Sequence, residues 1–74
     1  MKYLNFSVVV EEDNNGFFAF CPELQGCYTQ GKTYEEALKN IKDAIKLHLE
    51  DIAKSKEKLE RPRSVSLATV EIAV

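Results

Sequence analysis

A chain of 74 residues is one small domain, too short to hold a catalytic domain beside a separate recognition domain. With 45% hydrophobic and 30% charged residues it reads as globular rather than disordered. A net charge of −2 argues against a stand-alone nucleic-acid binder, and no uncharged apolar run approaches the ~18 residues of a membrane span.

The opening Met1-Lys2 leads into an alternating stretch rather than the continuous apolar region of a signal peptide. A cytoplasmic location is therefore expected, with no membrane partner. In Tyr3–Glu11, residues Leu4, Phe6, Val8 and Val10 take one face and Tyr3, Asn5, Ser7, Val9 and Glu11 the other, the period-two pattern of a strand. Glu12-Asp13-Asn14-Asn15-Gly16 supplies turn residues for a hairpin. Phe17–Cys21 reads as a second strand, ended by Pro22, which has no N–H for a ladder. After the Pro22–Gly26 connection, Cys27–Gln30 reads as a third strand, closed by Gly31. Short loops between consecutive strands favour an antiparallel meander.

Thr33-Tyr34-Glu35-Glu36 is a capping box, with the Thr33 hydroxyl set to accept the Glu36 N–H and the Glu36 side chain set to reach back. Behind it, Tyr34, Leu38, Ile41, Ile45, Leu49 and Ile52 form one stripe at helical spacing, flanked by Ala37, Ala44 and His48. Lys56 would fall within that stripe, so its core-facing part should stop near Ala53, with a charged extension towards Leu59. Arg61-Pro62-Arg63-Ser64 is a break, and Val65–Val74, rich in β-branched residues, reads as a fourth strand. The expected fold is α+β in the order β-β-β-α-β: an antiparallel sheet with one amphipathic helix on one face, in a single domain over 1–74.

This order leaves a physical problem. One helix covers one face of the sheet, yet Phe17, Phe18 and Phe20 fall on both faces, and the last strand is apolar on both parities. Large exposed apolar patches mark association. A homodimer or higher homo-oligomer, a partner protein, or both are therefore expected, with Phe17, Phe18, Phe20, Leu47, Val70 and Ile72 as the candidates for self-association.

Chemistry-bearing residues are few. Glu11, Glu12 and Asp13 cluster near the hairpin and could meet a divalent cation with Glu23 or Asp43, but a solvated loop accounts for them better. Cys21 and Cys27 fall on neighbouring strands; small buried thiols are favoured over a disulfide or a catalytic thiol served by His48. The three glycines, Gly16, Gly26 and Gly31, all sit at turns, and no phosphate-binding loop is present. The helix lysines alternate with acids, as on a solvated face. No catalytic residue, metal site or cofactor is expected.

The combination Val8–Asp13, Gly16–Cys27 and Thr29–Ile41 resembles the HicB family. It unites an acidic hairpin, a P-x-L-x-G-C turn at Pro22–Cys27, T-x-G at Thr29–Gly31 and T-x-E-E-A opening the helix at Thr33. The continuation Ala44–Glu50, with His48 where the family often has an aromatic, and the Arg61-Pro62 break before an apolar segment fit as well. The resemblance implies a partly degraded RNase H-like fold and a non-enzymatic antitoxin that binds and sterically neutralises a small, basic, mRNA-cleaving HicA-type toxin. Residues 1–31 carry Lys2 against Glu11, Glu12, Asp13 and Glu23, a local charge of −3, which makes those four acids the candidate toxin contacts. With nothing after the last apolar segment to supply the DNA-binding module many HicB proteins carry, direct DNA binding is not expected. The alternatives are a relic RNase H-like nuclease using Glu11 with Mg²⁺, and a homo-oligomeric scaffold without a toxin.

Overall fold

The computed structural model describes residues 3–56, 58–62 and 64–74. Met1 and Lys2, Glu57 in the expected helix extension and Arg63 in the expected break lie outside the described residues. Three strands, β1 (Val9–Asp13), β2 (Gly16–Phe20) and β3 (Tyr28–Gly31), are followed by one helix, α1 (Tyr34–Ser55). The strands form an antiparallel meander in the order β1-β2-β3. The fold is α+β, as expected, and the RNase H-like expectation rests on the resemblance alone.

Local chemistry explains each element. The β1–β2 turn passes through Asn14 and Asn15 to Gly16, whose φ of +128° a side chain would oppose. Asp13 Oδ1 accepts the Asn15 N–H at 2.8 Å, the local bond that favours aspartate in turns. Between β2 and β3 the chain knots into a compact loop. Leu24 N donates to the Cys21 carbonyl, Cys27 N to the Leu24 carbonyl and Cys21 N to the Cys27 carbonyl. This knot drives Leu24 into the core, a burial its loop position concealed in the sequence.

At the helix start Thr33 Oγ1 accepts the Glu36 N–H at 3.1 Å, as the capping box predicts. The return bond differs by one residue: Glu36 Oε1 accepts from Lys32 N at 2.9 Å rather than from the cap itself. The helix ends at Ser55, four residues before Leu59, because Lys56 turns into the left-handed region at φ 59° and bonds back to Ala53 and Ile52.

The core lies between the helix and one face of the sheet. Ala19, Cys21, Leu24, Cys27, Ala37, Ile41 and Ile45 are buried, with Phe6, Val8, Val10 and Phe17 packed against them. The helix presents Ala37, Ile41 and Ile45 most directly, so its buried stripe is rotated from the expected one, and Leu38 and Tyr34 sit at its margin, 41% and 48% exposed. A close approach sets that rotation. A Cβ on Gly31 would lie 2.5 Å from Ala37 N and 2.9 Å from Ala37 Cα, so only glycine lets β3 end against the first helical turn. Thr29 Oγ1 and Asn40 Nδ2 fasten the same junction, donating to the carbonyls of Ala37 and Gln30.

Two strand expectations are corrected. β1 begins at Val9, so the alternation over residues 3–8 is not matched by a ladder. The expected fourth strand at Val65–Val74 is not present among the described residues: the segment is exposed throughout and joins no sheet. Its residues have strand propensity, but a strand exists only through the neighbour that accepts its N–H and C=O groups.

Candidate functional site

Register decides which candidate residues share a surface. Paired residues in an antiparallel ladder point to the same face. Ala19, opposite Val10, is fully buried under the helix. Phe17 and Glu12, a direct pair of the same parity, therefore lie on the helix face. The open face carries Val9, Glu11 and Asp13 from β1, Phe18 and Phe20 from β2, and Tyr28 and Gln30 from β3.

The open face holds an aromatic cluster. Phe18 lies with its ring centroid 5.7 Å from Tyr28 and 6.2 Å from Phe20. The two phenylalanines are half-buried by one another, while Tyr28 is 62% exposed. Glu11 sits directly opposite Phe18 in the register, which puts a carboxylate at the border of the aromatic surface. Residues assigned to separate roles, Glu11 and Asp13 against Phe18 and Phe20, thus share one face. The acidic run divides: Glu11 and Asp13 adjoin the aromatics, whereas Glu12 turns to the helix side opposite Phe17. Phe17 packs edge-on to Tyr34 (centroids 6.4 Å, planes at 81°) and leans on the core. Leu47 is 60% exposed on the outer side of α1, remote from the aromatic cluster in the helix pattern, and Val70 and Ile72 are exposed in the unpaired segment.

Glu23 has a different situation from the other acids. Its Oε1 accepts the Ser7 backbone N–H, and its Oε2 takes the Arg61 guanidinium, with Arg61 Nε at 3.0 Å. The Ser7 amide first, and Arg61 second, hold its carboxyl below the usual glutamate range. Arg61 also donates to the Asn5 carbonyl and lies 4.2 Å over the Phe6 ring. Glu23 and Arg61 therefore clamp three sequence-distant stretches, around residues 5–7, 23 and 61. In the sequence Arg61 reads only as part of a break; its partner at residue 23 is 38 positions away, and no local pattern signals such a bond.

The remaining chemistry is sparse. Cys21 and Cys27 are buried unpaired thiols, and burial, with Cys21 adding a smaller contribution, pushes the Cys27 thiol up from its ordinary value. His48 is half-buried on α1 and makes no hydrogen bond to either thiol. Among the described residues no three His, Cys, Asp or Glu side chains converge as a metal set would require, and the pleat sends Glu12 to the face opposite Glu11 and Asp13. No helix among the described residues is long and apolar enough to cross a membrane. Tyr28 is the aromatic residue of the open face that sequence reasoning missed, because the register that sets it opposite Phe20 exists only in the paired strands.

Comparison with known proteins is consistent in one direction. A family model described as "HicB_like antitoxin of bacterial toxin-antitoxin system" matches residues 6–72. A UPF0150 protein of Helicobacter pylori is 48% identical over 67 residues, covering 90% of this chain and 93% of its own length. A UPF0150 protein of Synechocystis is 47% identical over 49 residues, 65% of this chain and 62% of the relative. One of Thermoplasma acidophilum is 42% identical over 59 residues, 78% of this chain and 86% of the relative. No solved structure gives a significant match.

Proposed function

The chain belongs to the HicB-like antitoxin family of bacterial toxin–antitoxin systems, and from that premise we propose that it binds a small basic HicA-type mRNA-cleaving toxin in the cytoplasm and neutralises it by covering its RNA-facing surface. Antitoxin membership points to a binding module rather than an enzyme.

The observation that carries this reading is the juxtaposition of Glu11 and Asp13 with the Phe18–Tyr28 aromatic cluster on the sheet face that the helix leaves open. Aromatic residues are enriched at the buried centre of protein interfaces, and carboxylates at the border select a cationic partner and steer its approach. Glu12 lies on the other face, and Glu23 is held by Arg61 and Ser7, so the contribution of the four acids is graded. Glu11 and Asp13 contact the toxin, Glu12 adds to the field around the hairpin tip, and Glu23 shapes the loop behind it.

The test is a calorimetric titration of the chain with a basic HicA-type toxin. At low salt, Glu11→Lys is expected to weaken binding by about tenfold or more, and Glu12→Lys by less. Tyr28→Ala should weaken it too, with the fold intact because that ring is mostly exposed. Unchanged affinity in both Glu11→Lys and Tyr28→Ala would remove the open face from the interface.

A further inference from the structure

Residues 64–74 form a segment without a place in the sheet. From Ala68 onwards it alternates, with Val70, Ile72 and Val74 on one parity and Thr69 and Glu71 on the other, the pattern of a half-buried strand. Yet Leu67, Val70 and Ile72 are 89%, 74% and 71% exposed. The molecule extends 47 Å along its long axis, and its radius of gyration is 14.4 Å, against roughly 11 Å for a compact chain of this length. The match to the antitoxin family runs through this segment to residue 72, so it is part of the domain and not an appendage.

The structure also offers edges. Among the described residues β1 has a ladder partner on one side only, and the apolar alternation of Leu4, Phe6 and Val8 continues that strand direction without a ladder. The other edge, β3, is four residues long, and α1 already holds it: Asn40 donates to the Gln30 carbonyl there. The start of the unpaired segment is fixed near the first of these edges. Arg61 binds Asn5 and Glu23, and Ser64 and Val65 line the same open hollow as Asn5, Phe6 and Ser7. An eleven-residue extended segment reaches about 36 Å, longer than β1. It leaves this anchor without pairing to its own sheet.

We propose that residues 64–74 of one protomer add as a strand to the outer edge of β1 in a second copy, and that the second copy returns the same contact. Because each segment is anchored beside its own β1, a two-fold axis brings both edges and both segments together, and the exchange closes at a dimer. The segment and the edge over residues 3–13 contribute about 22 residues from each protomer, within the ~20–30 a side that a stable interface uses. Main-chain bonds supply the pairing, and the apolar parity of Val70 and Ile72 continues that of Phe6, Val8 and Val10. This inference does not depend on the toxin reading.

Sedimentation equilibrium of the full chain tests it. The wild type is expected to be a dimer. Val70→Pro, which removes a ladder donor from a residue that touches no core side chain, should weaken dimerisation by roughly a hundredfold. Ile72→Lys should weaken it as well, and circular dichroism should show α1 intact in both variants. A wild-type monomer, or a dimer that neither substitution weakens, would overturn the proposal.

Discussion

β1 and the segment Val65–Val74 make an instructive pair. The stretch that leads into β1 and the segment Val65–Val74 share a pattern: apolar residues alternate through Leu4, Phe6, Val8 and Val10 in the first and through Val70, Ile72 and Val74 in the second. β1 is a strand because the Asp13–Gly16 turn returns β2 alongside it, and because Val10 meets Ala19 beneath the helix. Val65–Val74 follows a 22-residue helix and the Arg61 clamp, and no edge of its own sheet receives it. Strand propensity is thus a demand for a partner, and the two regions differ in whether their own chain meets that demand.

The widest predicted contrast is between core and segment. Ile41→Ala removes a side chain that is 1% exposed at the centre of the helix–sheet contact. It should cost about 3 kcal/mol in a urea titration, a large share of the stability of so small a domain. Leu67→Ala, at 89% exposure, should change the same titration by no more than about 0.5 kcal/mol in dilute solution. Equal losses at the two positions would mean that the segment already packs on its own sheet.

Gly31→Ala sharpens the comparison at the junction of β3 and α1. The added methyl would meet the Ala37 backbone at under 3 Å. The helix start must then lift from the sheet, with an expected loss of about 2 kcal/mol. A neutral result in the urea midpoint would show that the first turn is free to shift.

The smallest effect concerns the clamp, and it depends on pH. The Glu23 carboxyl is held below its ordinary value by the Ser7 amide and Arg61. Its contribution is therefore present above the unfolded glutamate value and is lost as pH falls through the lowered folded value. Glu23→Gln should lower stability slightly at neutral pH and flatten the acid slope between those two values. An unchanged slope would place the acid sensitivity elsewhere.

What the sequence revealed follows the range of the interactions. Thr33, Glu36 and the Asn14–Gly16 turn act within four residues, and they were legible with the elements they shape. The β1–β2–β3 order followed from short loops. Three features were not legible. Leu24 is buried by a loop knot closed between Cys21 and Cys27, Arg61 finds Glu23 across 38 positions, and Gly31 acts through a backbone contact with Ala37. The candidate site was half visible for the same reason. Glu11, Asp13, Phe18 and Phe20 were named from composition and position, but the register that puts them on one face with Tyr28, and sends Glu12 and Phe17 to the other, is a property of the paired strands.

The central claim is that a second copy supplies the partner that Val65–Val74 lacks, and amide hydrogen exchange across a dilution series reads it directly. The account predicts slow exchange over residues 66–73 and along β1 in concentrated solution, with both regions speeding up together as the dimer dissociates. Fast exchange over 66–73 at every concentration, or slow exchange there in a species that sediments as a monomer, would contradict it.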